Sequence, residues 1–111
     1  MQIIGDVKGK CCIIVDDICD TAGTLCHAAD ALKEQGASSV FAYITHPIFS
    51  GKADQNISSS SIDEIIVTDT ISLSKKIIDT GKIRQITVAQ MLAETLRRID
   101  NKESVSSLFI E

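Results

Sequence analysis

Short apolar segments alternate with amphipathic segments along most of the chain. Residues 10–15 form a continuous apolar run after a single lysine, which predicts a parallel strand buried on both faces. Residues 25–32 place leucine and alanine at helical spacing with polar residues between them, and Gly36 is expected to end this helix. Residues 39–45 predict the next strand. The order strand, helix, strand predicts a right-handed βαβ unit.

The second half of the chain continues this pattern after an interruption. Pro47 and Gly51 predict a break, followed by a polar surface loop with room for one short helix. Residues 63–68 and 83–88 predict two further strands, and residues 72–79 predict a helical turn between them. The sequence therefore predicts an α/β fold built on a parallel sheet.

Both ends of the chain suggest that it belongs to something larger. Met1 and the residues after it are apolar without an upstream partner, and a four-stranded sheet leaves at least one exposed edge. We therefore expect residues 1–111 to be part of a larger two-domain protein, and whether Met1 is native or internal is left open. Leu108 and Phe109, in the apolar end of the chain, are expected to pack on the domain or on a neighbouring subunit. The last predicted helix carries its apolar face on Val88, Met91, Leu92, Leu96 and Ile99.

Composition and charge narrow the possible partners. Of the 111 residues, 44% are apolar and 23% are charged, which is typical of an ordinary globular domain. The net charge of −4 argues against non-specific binding to nucleic acid. No apolar run is long enough to span a bilayer, and no secretion signal follows Met1. We expect a cytoplasmic protein without nucleic-acid or membrane partners.

Four cysteines lie in the first quarter of the chain, without a CxxC pair. Cys11 and Cys12 are neighbours on a predicted strand, so their side chains point to opposite faces. We expect all four cysteines to be small buried apolar residues in a reducing compartment. A redox switch or a metal site is the alternative.

The candidate chemistry lies in residues 15–25, which follow a parallel strand and open a helix, where doubly wound folds bind ligands. The first N–H groups of a helix are unpaired and carry partial positive charge, so a phosphate fits there. Ala22 and Gly23 keep the loop free of bulk, and Gly23 can take backbone angles that other residues resist. Thr21 and Thr24 add hydroxyl donors.

Three acidic residues accompany this loop. The adjacent carboxylates of Asp16 and Asp17 suit a vicinal diol or a hydrated magnesium ion. Together with the phosphate donors beyond them, they describe a pocket for a pentose 5-phosphate. In a purely structural alternative, Asp16, Asp17 and Asp20 cap backbone amides in a turn. An acidic pair after a strand also occurs in phospho-acceptor receiver domains, and the residues alone leave these three interpretations open.

Residues 15–25 resemble the phosphoribosyl pyrophosphate motif in the version found in ribose-phosphate pyrophosphokinases: Asp-Asp, two residues, then Asp-Thr-Ala-Gly-Thr. The resemblance covers almost the whole chain, in order, and is to the C-terminal part of that family. It implies a Rossmann-like, parallel-sheet fold of the type I phosphoribosyltransferase class, here a partial domain. The further matching stretches are residues 5–7, 26–30, 45–51, 67–70, 93–94 and 103–109.

The resemblance also implies an activity, which is transfer of the β,γ-diphosphoryl group of ATP to the anomeric hydroxyl of ribose 5-phosphate, with Mg²⁺, in nucleotide biosynthesis. Asp16 and Asp17 would then hold the ribose hydroxyls or the magnesium ion. The family's ATP-binding residues and its lysine–arginine loop are expected upstream, so this chain alone is expected to be inactive, and its catalytic residues are unassigned. The 5-phosphate would be held by Asp20, Thr21, Ala22, Gly23 and Thr24, although the carboxylate of Asp20 has no firm role.

Members of the family form homo-oligomers, typically hexamers built from dimers, with effector phosphates between subunits. By resemblance, Ser104 and Ser106 would belong to the effector site, with Phe109 nearby.

Two alternative functions compete with the diphosphokinase. One is a non-catalytic regulatory homologue, and the other is a nucleobase phosphoribosyltransferase, which shares the loop but not the closing stretch. His27 is expected to be solvated or to cap a helix, and His46 is as consistent with a structural turn as with a site-facing role.

Overall fold

The computed structural model describes residues 3–109, so the parts of the expectations above that concern Met1 lie outside the described residues. The strands form one parallel four-stranded sheet in chain order, which confirms the predicted α/β fold. These strands are β1 (Cys11–Cys19), β2 (Ser39–Pro47), β3 (Glu64–Thr68) and β4 (Ile83–Ile86).

Strand β1 is longer than the sequence predicts. Its last residues continue to pair with β2, with Asp16 opposite Ile44 and Cys19 opposite Pro47. Asp16 and its neighbour Asp17 therefore lie inside a strand rather than in the loop that follows it. The apolar run alone could not show this, because polar side chains at a strand's end do not prevent backbone pairing.

The helices follow the predicted order. Gly36 lies just after the first helix with a φ of 95° and donates its N–H to the carbonyl of Lys33 at 3.0 Å, as expected of a helix-ending glycine. The predicted polar loop contains one short helix, and the predicted helical turn is present. The helices are α1 (Gly23–Glu34), α2 (Ala53–Ser59), α3 (Lys75–Ile78) and α4 (Ala89–Asp100), followed by a 3-10 turn (Ser106–Phe109).

The core lies between the sheet and the first three helices. Helix α1 contacts β1, β2 and α2, and α2 contacts α3. A sheet whose strands follow in chain order, joined by right-handed crossovers, places these helices on the same face. On that face the sheet and helices bury a continuous apolar cluster, whose most buried members include Val40, Ala42, Ile57, Ile65 and Val67.

The opposite face of the sheet is exposed. Val15 is 74% exposed, and Ile13, Tyr43 and Ile86 are about half exposed. The prediction that the first strand is buried on both faces is therefore wrong for this chain, because the helices after β1, β2 and β3 all cover the other face. No apolar residue of α4 is buried, although the helix itself is present as predicted.

The chain is accordingly more extended than a compact domain of its size. The Cα radius of gyration is 16.6 Å, whereas about 13 Å is typical of a compact domain of this length. Helix α4 and the tail after it account for much of the difference, since α4 makes no extensive contacts with the sheet or with the other helices in the described residues. The apolar stripe of α4 is exposed at Met91, Leu92, Leu96 and Ile99.

The tail returns to the end of α4 through polar contacts. Arg97 forms ion pairs with Glu94 and Glu103 at 2.7 and 2.8 Å, and Arg98 donates to the carbonyl of Ser104 at 3.0 Å. Leu108 is half-buried, whereas Phe109 is 63% exposed, so the expected packing on this domain is not found for Phe109. Its packing on a neighbouring subunit stays a prediction.

The cysteines are free thiols with different environments. Cys19 and Cys26 are buried in the core, as predicted. Cys12 is half-buried and Cys11 is exposed, so the prediction is wrong for Cys11, which faces the uncovered side of the sheet. No helix within residues 3–109 is long and apolar enough to cross a membrane.

Candidate functional site

A cavity of about 470 Å³ lies at the carboxyl end of β1, between the sheet and the first turn of α1. Ile14, Ile44 and Ala28 form its apolar floor and wall. Six of the seven residues predicted to bind a sugar phosphate border this cavity, so residues separated by up to eight positions share one pocket. They are Asp16, Asp20, Thr21, Ala22, Gly23 and Thr24.

Asp17 is the predicted residue that does not border the cavity. Successive side chains of a strand point to opposite faces, so Asp17 follows Val15 toward the uncovered side of the sheet. Asp16 instead borders the cavity, and its Oδ1 accepts the backbone N–H of Asp17 at 2.8 Å. The structure therefore separates the two carboxylates, which the sequence had paired. Their roles toward a diol or a metal stay predictions.

The unusual backbone angle of the loop belongs to Ala22 and not to Gly23. Ala22 has a φ of 65° and a ψ of 8°, in the left-handed region, whereas Gly23 is not among the residues with a positive φ. Gly23 does not use the backbone freedom of a glycine, because the chain turns one residue earlier, before α1 begins. A non-glycine residue in this conformation costs roughly 1–3 kcal/mol, and such strain concentrates at ligand-binding loops.

The backbone N–H groups of this loop are free to bind a ligand. The cap residue Ala22 has no side chain that could accept from them, and the first turn of α1 contains no acidic residue. Within residues 3–109, the N–H groups of Thr21, Gly23, Thr24 and Leu25 have no hydrogen-bond acceptor. Unpaired donors at the positive end of a helix form an anion-binding site.

A second segment, residues 48–56, lies behind the loop, and we call it the brace. The brace donates to the carbonyls of three consecutive loop residues. Ile48 and Phe49 donate their N–H groups to Cys19 at 3.1 and 3.2 Å. Ser50 donates its N–H to the Asp20 carbonyl at 3.0 Å.

The third of these carbonyls, that of Thr21, accepts from the Asn56 side chain at 2.8 Å. Nothing in the sequence indicated this contact, because Asn56 lies more than thirty residues from its partner, in a segment predicted to be a surface loop. Ser50 could be found only as part of a stretch that matches the family. Its hydroxyl donates to Asp20 Oδ1.

Cys19 lies beneath the loop, and its side chain is part of the buried core. Burial raises the pKa of the Cys19 thiol to about 11, with a smaller rise from nearby Cys26, while the N–H of Ala22 acts in the opposite direction. The thiol is therefore neutral near pH 7 and serves as an apolar support for the loop.

Neither histidine borders the cavity at the carboxyl end of β1. The Nδ1 atom of His46 is 2.9 Å from the hydroxyl of Thr70, so this ring joins the ends of β2 and β3. This contact favours the structural interpretation of His46. His27 is exposed and borders a separate small cavity of about 120 Å³ between α1 and α2.

Hydrogen bonds to Asp69 also join the ends of β3 and β4. Asp69 accepts the hydroxyl of Thr87 at 2.6 Å and the N–H of Val88 at 2.9 Å. These two bonds hold the pKa of Asp69 below its ordinary value. The residues after β3 therefore fix the start of α4 at the same edge of the sheet as the loop.

The residues predicted for an effector phosphate lie together on the tail. The hydroxyl oxygens of Ser104 and Ser106 are 3.1 Å apart and exposed, and Phe109 is in the same 3-10 turn as Ser106. Arg98 reaches this tail through the Ser104 carbonyl and the Ser107 hydroxyl. The tail thus combines hydroxyl groups with one guanidinium, and its role stays a prediction.

The donor set for a metal is sparse in this part of the molecule. No group of three or more histidine, cysteine or acidic side chains that could hold a metal occurs within the described residues. Asp16 supplies one carboxylate to the cavity. Such a site fits magnesium, which is usually held by one or two carboxylates together with substrate oxygens and water.

Comparison with known proteins identifies the family. Residues 1–110 match the model of the phosphoribosyl synthetase-associated domain. The chain is 60% identical over 109 residues to a ribose-phosphate pyrophosphokinase of Shewanella oneidensis and 59% identical to that of Vibrio cholerae, covering 98% of this chain in each case. It is 60% identical over all 111 residues to that of Xanthomonas axonopodis pv. citri.

These matches cover only part of each relative. The chain spans 35% of the length of these three proteins, and the matched shares do not confirm the expected C-terminal position within them. That position and the division into two domains stay predictions.

The fold leads to the same family. The crystal structure of phosphoribosylpyrophosphate synthetase from Mycobacterium smegmatis superposes with a TM-score of 0.82 at 36% identity, over 89% of this chain and 33% of that one. The chain therefore has the type I phosphoribosyltransferase fold that its sequence predicted. It belongs to the phosphoribosyl synthetase-associated domain family.

Proposed function

We propose that the chain is the ribose 5-phosphate-binding part of a ribose-phosphate diphosphokinase, which converts ATP and ribose 5-phosphate to phosphoribosyl pyrophosphate and AMP. One observation supports this proposal above the others. The N–H groups of Thr21, Gly23, Thr24 and Leu25 have no acceptor within the described residues and border a cavity that also contains the Asp16 carboxylate. A donor-rich end and an acceptor-rich end within one pocket suit a phosphate joined to a polyol.

The two ends of the pocket bind the two ends of the substrate. The 5-phosphate accepts from the loop N–H groups and from the hydroxyls of Thr21 and Thr24, each bond being worth roughly 1.5–3 kcal/mol. The ribose hydroxyls donate to Asp16, directly or through a bound magnesium ion. Magnesium would be held here by Asp16 and substrate oxygens, and it would neutralise phosphate charge during transfer. Asp17 would reach this site only through water or the metal.

The chain's contribution to the reaction is to position the acceptor. The anomeric hydroxyl oxygen of ribose 5-phosphate bonds to the β-phosphorus of ATP, while the bond from that phosphorus to the α,β-bridging oxygen breaks and AMP leaves. Holding the sugar at both ends orients its anomeric oxygen, and orientation contributes a large share of catalysis in phosphoryl transfer. The cavity lining includes no lysine or arginine, so ATP would be bound by residues other than these.

The two alternative functions are less well supported. A nucleobase phosphoribosyltransferase shares the loop, but the three relatives described above are named ribose-phosphate pyrophosphokinase. A non-catalytic regulatory homologue is expected to depart from the loop pattern, whereas this chain keeps the whole pattern from Asp16 to Thr24.

Self-association is part of the proposal. The uncovered sheet face and the exposed stripe of α4 present apolar surface of the kind that subunits bury. Hexamers built from dimers, with Ser104, Ser106 and Phe109 at an effector phosphate between subunits, follow from the family resemblance. A cytoplasmic location likewise stays a prediction.

Calorimetric titration of the chain with ribose 5-phosphate, ribose and inorganic phosphate tests the proposal. A few exposed donors and one carboxylate are expected to give a Kd near 1 mM for ribose 5-phosphate, which corresponds to about 4 kcal/mol. Ribose or phosphate alone should bind more weakly. With ATP and Mg²⁺ added, we expect no phosphoribosyl pyrophosphate from the chain alone. Equal affinity for ribose and ribose 5-phosphate would contradict the phosphate assignment.

A further inference from the structure

The carboxylate of Asp20 has a partner within the protein. Ser50 donates its hydroxyl proton to Asp20 Oδ1 and its backbone N–H to the Asp20 carbonyl at 3.0 Å. We propose that Ser50 and Asp20 form a latch that holds residues 20–24 in their anion-binding shape, and that the Asp20 carboxylate acts on Ser50 rather than on sugar or metal. This inference rests on the proposed function, and it names two positioning residues for it.

The direction of the bonds explains how a latch behind the loop arranges donors in front of it. The peptide bonds of the described residues are trans, so the C=O and the following N–H of each peptide unit point in opposite directions. The carbonyls of Cys19, Asp20 and Thr21 all point to the brace. The N–H groups that follow these carbonyls must therefore point away from it. The bond from the Ser50 hydroxyl to the Asp20 carboxylate holds Ser50 in place, so its loss would loosen the backbone bond to the Asp20 carbonyl and the peptide unit that carries the N–H of Thr21.

The loop needs such support because its residues do not intrinsically prefer the backbone conformation that they adopt. Ala22 adopts left-handed backbone angles, which cost free energy unless the surrounding structure enforces them. The brace is itself held in a fixed shape. Phe49 has a φ of 48°, also in the left-handed region, and its side chain is buried in the core. Ser50 follows directly, so the buried ring fixes the position from which Ser50 bonds to Asp20.

The latch also explains why an aspartate is compatible with a phosphate site. A free carboxylate next to a bound phosphate repels it, since both groups are negative. Here Oδ1 of Asp20 is engaged by the Ser50 hydroxyl on the brace side of the loop. The role of the Asp20 side chain, which the sequence left open, is therefore structural support of the binding loop.

Four single variants, one double variant and a matched control test the latch by calorimetry with ribose 5-phosphate. Ser50→Ala and Asp20→Ala each remove one partner and should weaken binding about tenfold, the effect of losing one hydrogen bond to a charged group. The double variant should bind no more weakly than the worse single variant, because both remove the same interaction. Asp20→Asn and Ser50→Thr keep an acceptor and a hydroxyl, and they should bind within about threefold of the unmodified chain. Ser58→Ala removes an exposed hydroxyl that has no partner within the described residues and should leave affinity unchanged.

A second readout separates the latch from the proposed function. In the ligand-free chain, Ser50→Ala should lower the ¹⁵N order parameters of residues 21–24 from rigid values near 0.85 toward 0.6, with Ser58→Ala unchanged. If the unmodified chain binds no ribose 5-phosphate, the proposed function fails, and the order parameters alone decide on the latch. Unchanged order parameters in Ser50→Ala overturn the latch. Equal losses of affinity in Asp20→Asn and Asp20→Ala overturn it too, because the negative charge would then act on the ligand.

Discussion

Substitutions of Gly23 test whether a side chain at this position affects the stability of the fold or only the affinity for the ligand. An added Cβ at this position lies 3.7 Å from Thr21 Oγ1, which is an ordinary contact, and the backbone φ is not positive. Gly23→Ala should therefore fold normally. It should gain up to about 1 kcal/mol of stability, because alanine is a better helix residue than glycine.

Gly23→Val adds two methyl groups beside the same hydroxyl. Gly23 borders both the cavity at the carboxyl end of β1 and the small cavity between α1 and α2. The larger side chain must therefore displace Thr21 or cover the neighbouring N–H groups. Losing one charge-assisted hydrogen bond costs about 1.5–3 kcal/mol, which is a tenfold to hundredfold loss of affinity. From a Kd near 1 mM, the Kd for ribose 5-phosphate rises to about 10–100 mM.

Calorimetry gives the affinity of each variant, and thermal unfolding by circular dichroism gives its stability. The reasoning requires that Gly23→Val keeps a cooperative transition close to that of the unmodified chain while its affinity falls. Unchanged affinity in Gly23→Val would refute the assignment of the pocket. A collapsed melting transition in Gly23→Ala would refute the claim that the fold tolerates a side chain there.

Three further predictions concern titration and reactivity. At pH 8, iodoacetamide should modify exposed Cys11 much faster than Cys19, because burial raises the pKa of the Cys19 thiol to about 11. Mass spectrometry of the native protein measures both rates. Equal rates would contradict the burial of Cys19. The N–H of Val40 and then the ammonium of Lys33 lower the pKa of Asp63, so Asp63 stabilises the fold above its unfolded pKa of about 3.9, and this stability is lost as pH falls through the lowered value. Asp63→Asn should remove that part of the acid dependence in urea titrations. Bonds from the neighbouring arginines lower the pKa of Glu94 to about 2, so its carboxyl ¹³C resonance should titrate near that pH and not near 4.3.

The sequence predicted the parts of the fold that depend on local periodicity. The apolar runs and helical spacings gave the element order, and Gly36 marked the end of α1. The pattern could not show that β1 continues through Asp16 to Cys19, because pairing with β2 is a non-local property of the backbone. For the same reason it paired two carboxylates that the strand separates.

The site was predicted to the extent that its residues are contiguous. The stretch from Asp20 to Thr24 borders the cavity as expected, because a loop between a strand and a helix brings its own residues together. The left-handed angle of Ala22 could not be predicted, since glycine is the residue that usually adopts it. The brace could not be predicted, because its contacts join positions 29 to 35 residues apart.

The most direct test of the central claim is a ¹H–¹⁵N NMR titration of the chain with ribose 5-phosphate and Mg²⁺. The account predicts that the amides of Thr21, Gly23, Thr24 and Leu25 shift first and furthest, because their N–H groups are the free donors at the cavity. Inorganic phosphate should shift the same amides at higher concentration, whereas ribose should shift signals near Asp16. Shifts centred on the tail or on the uncovered sheet face, with the loop amides unmoved, would contradict it.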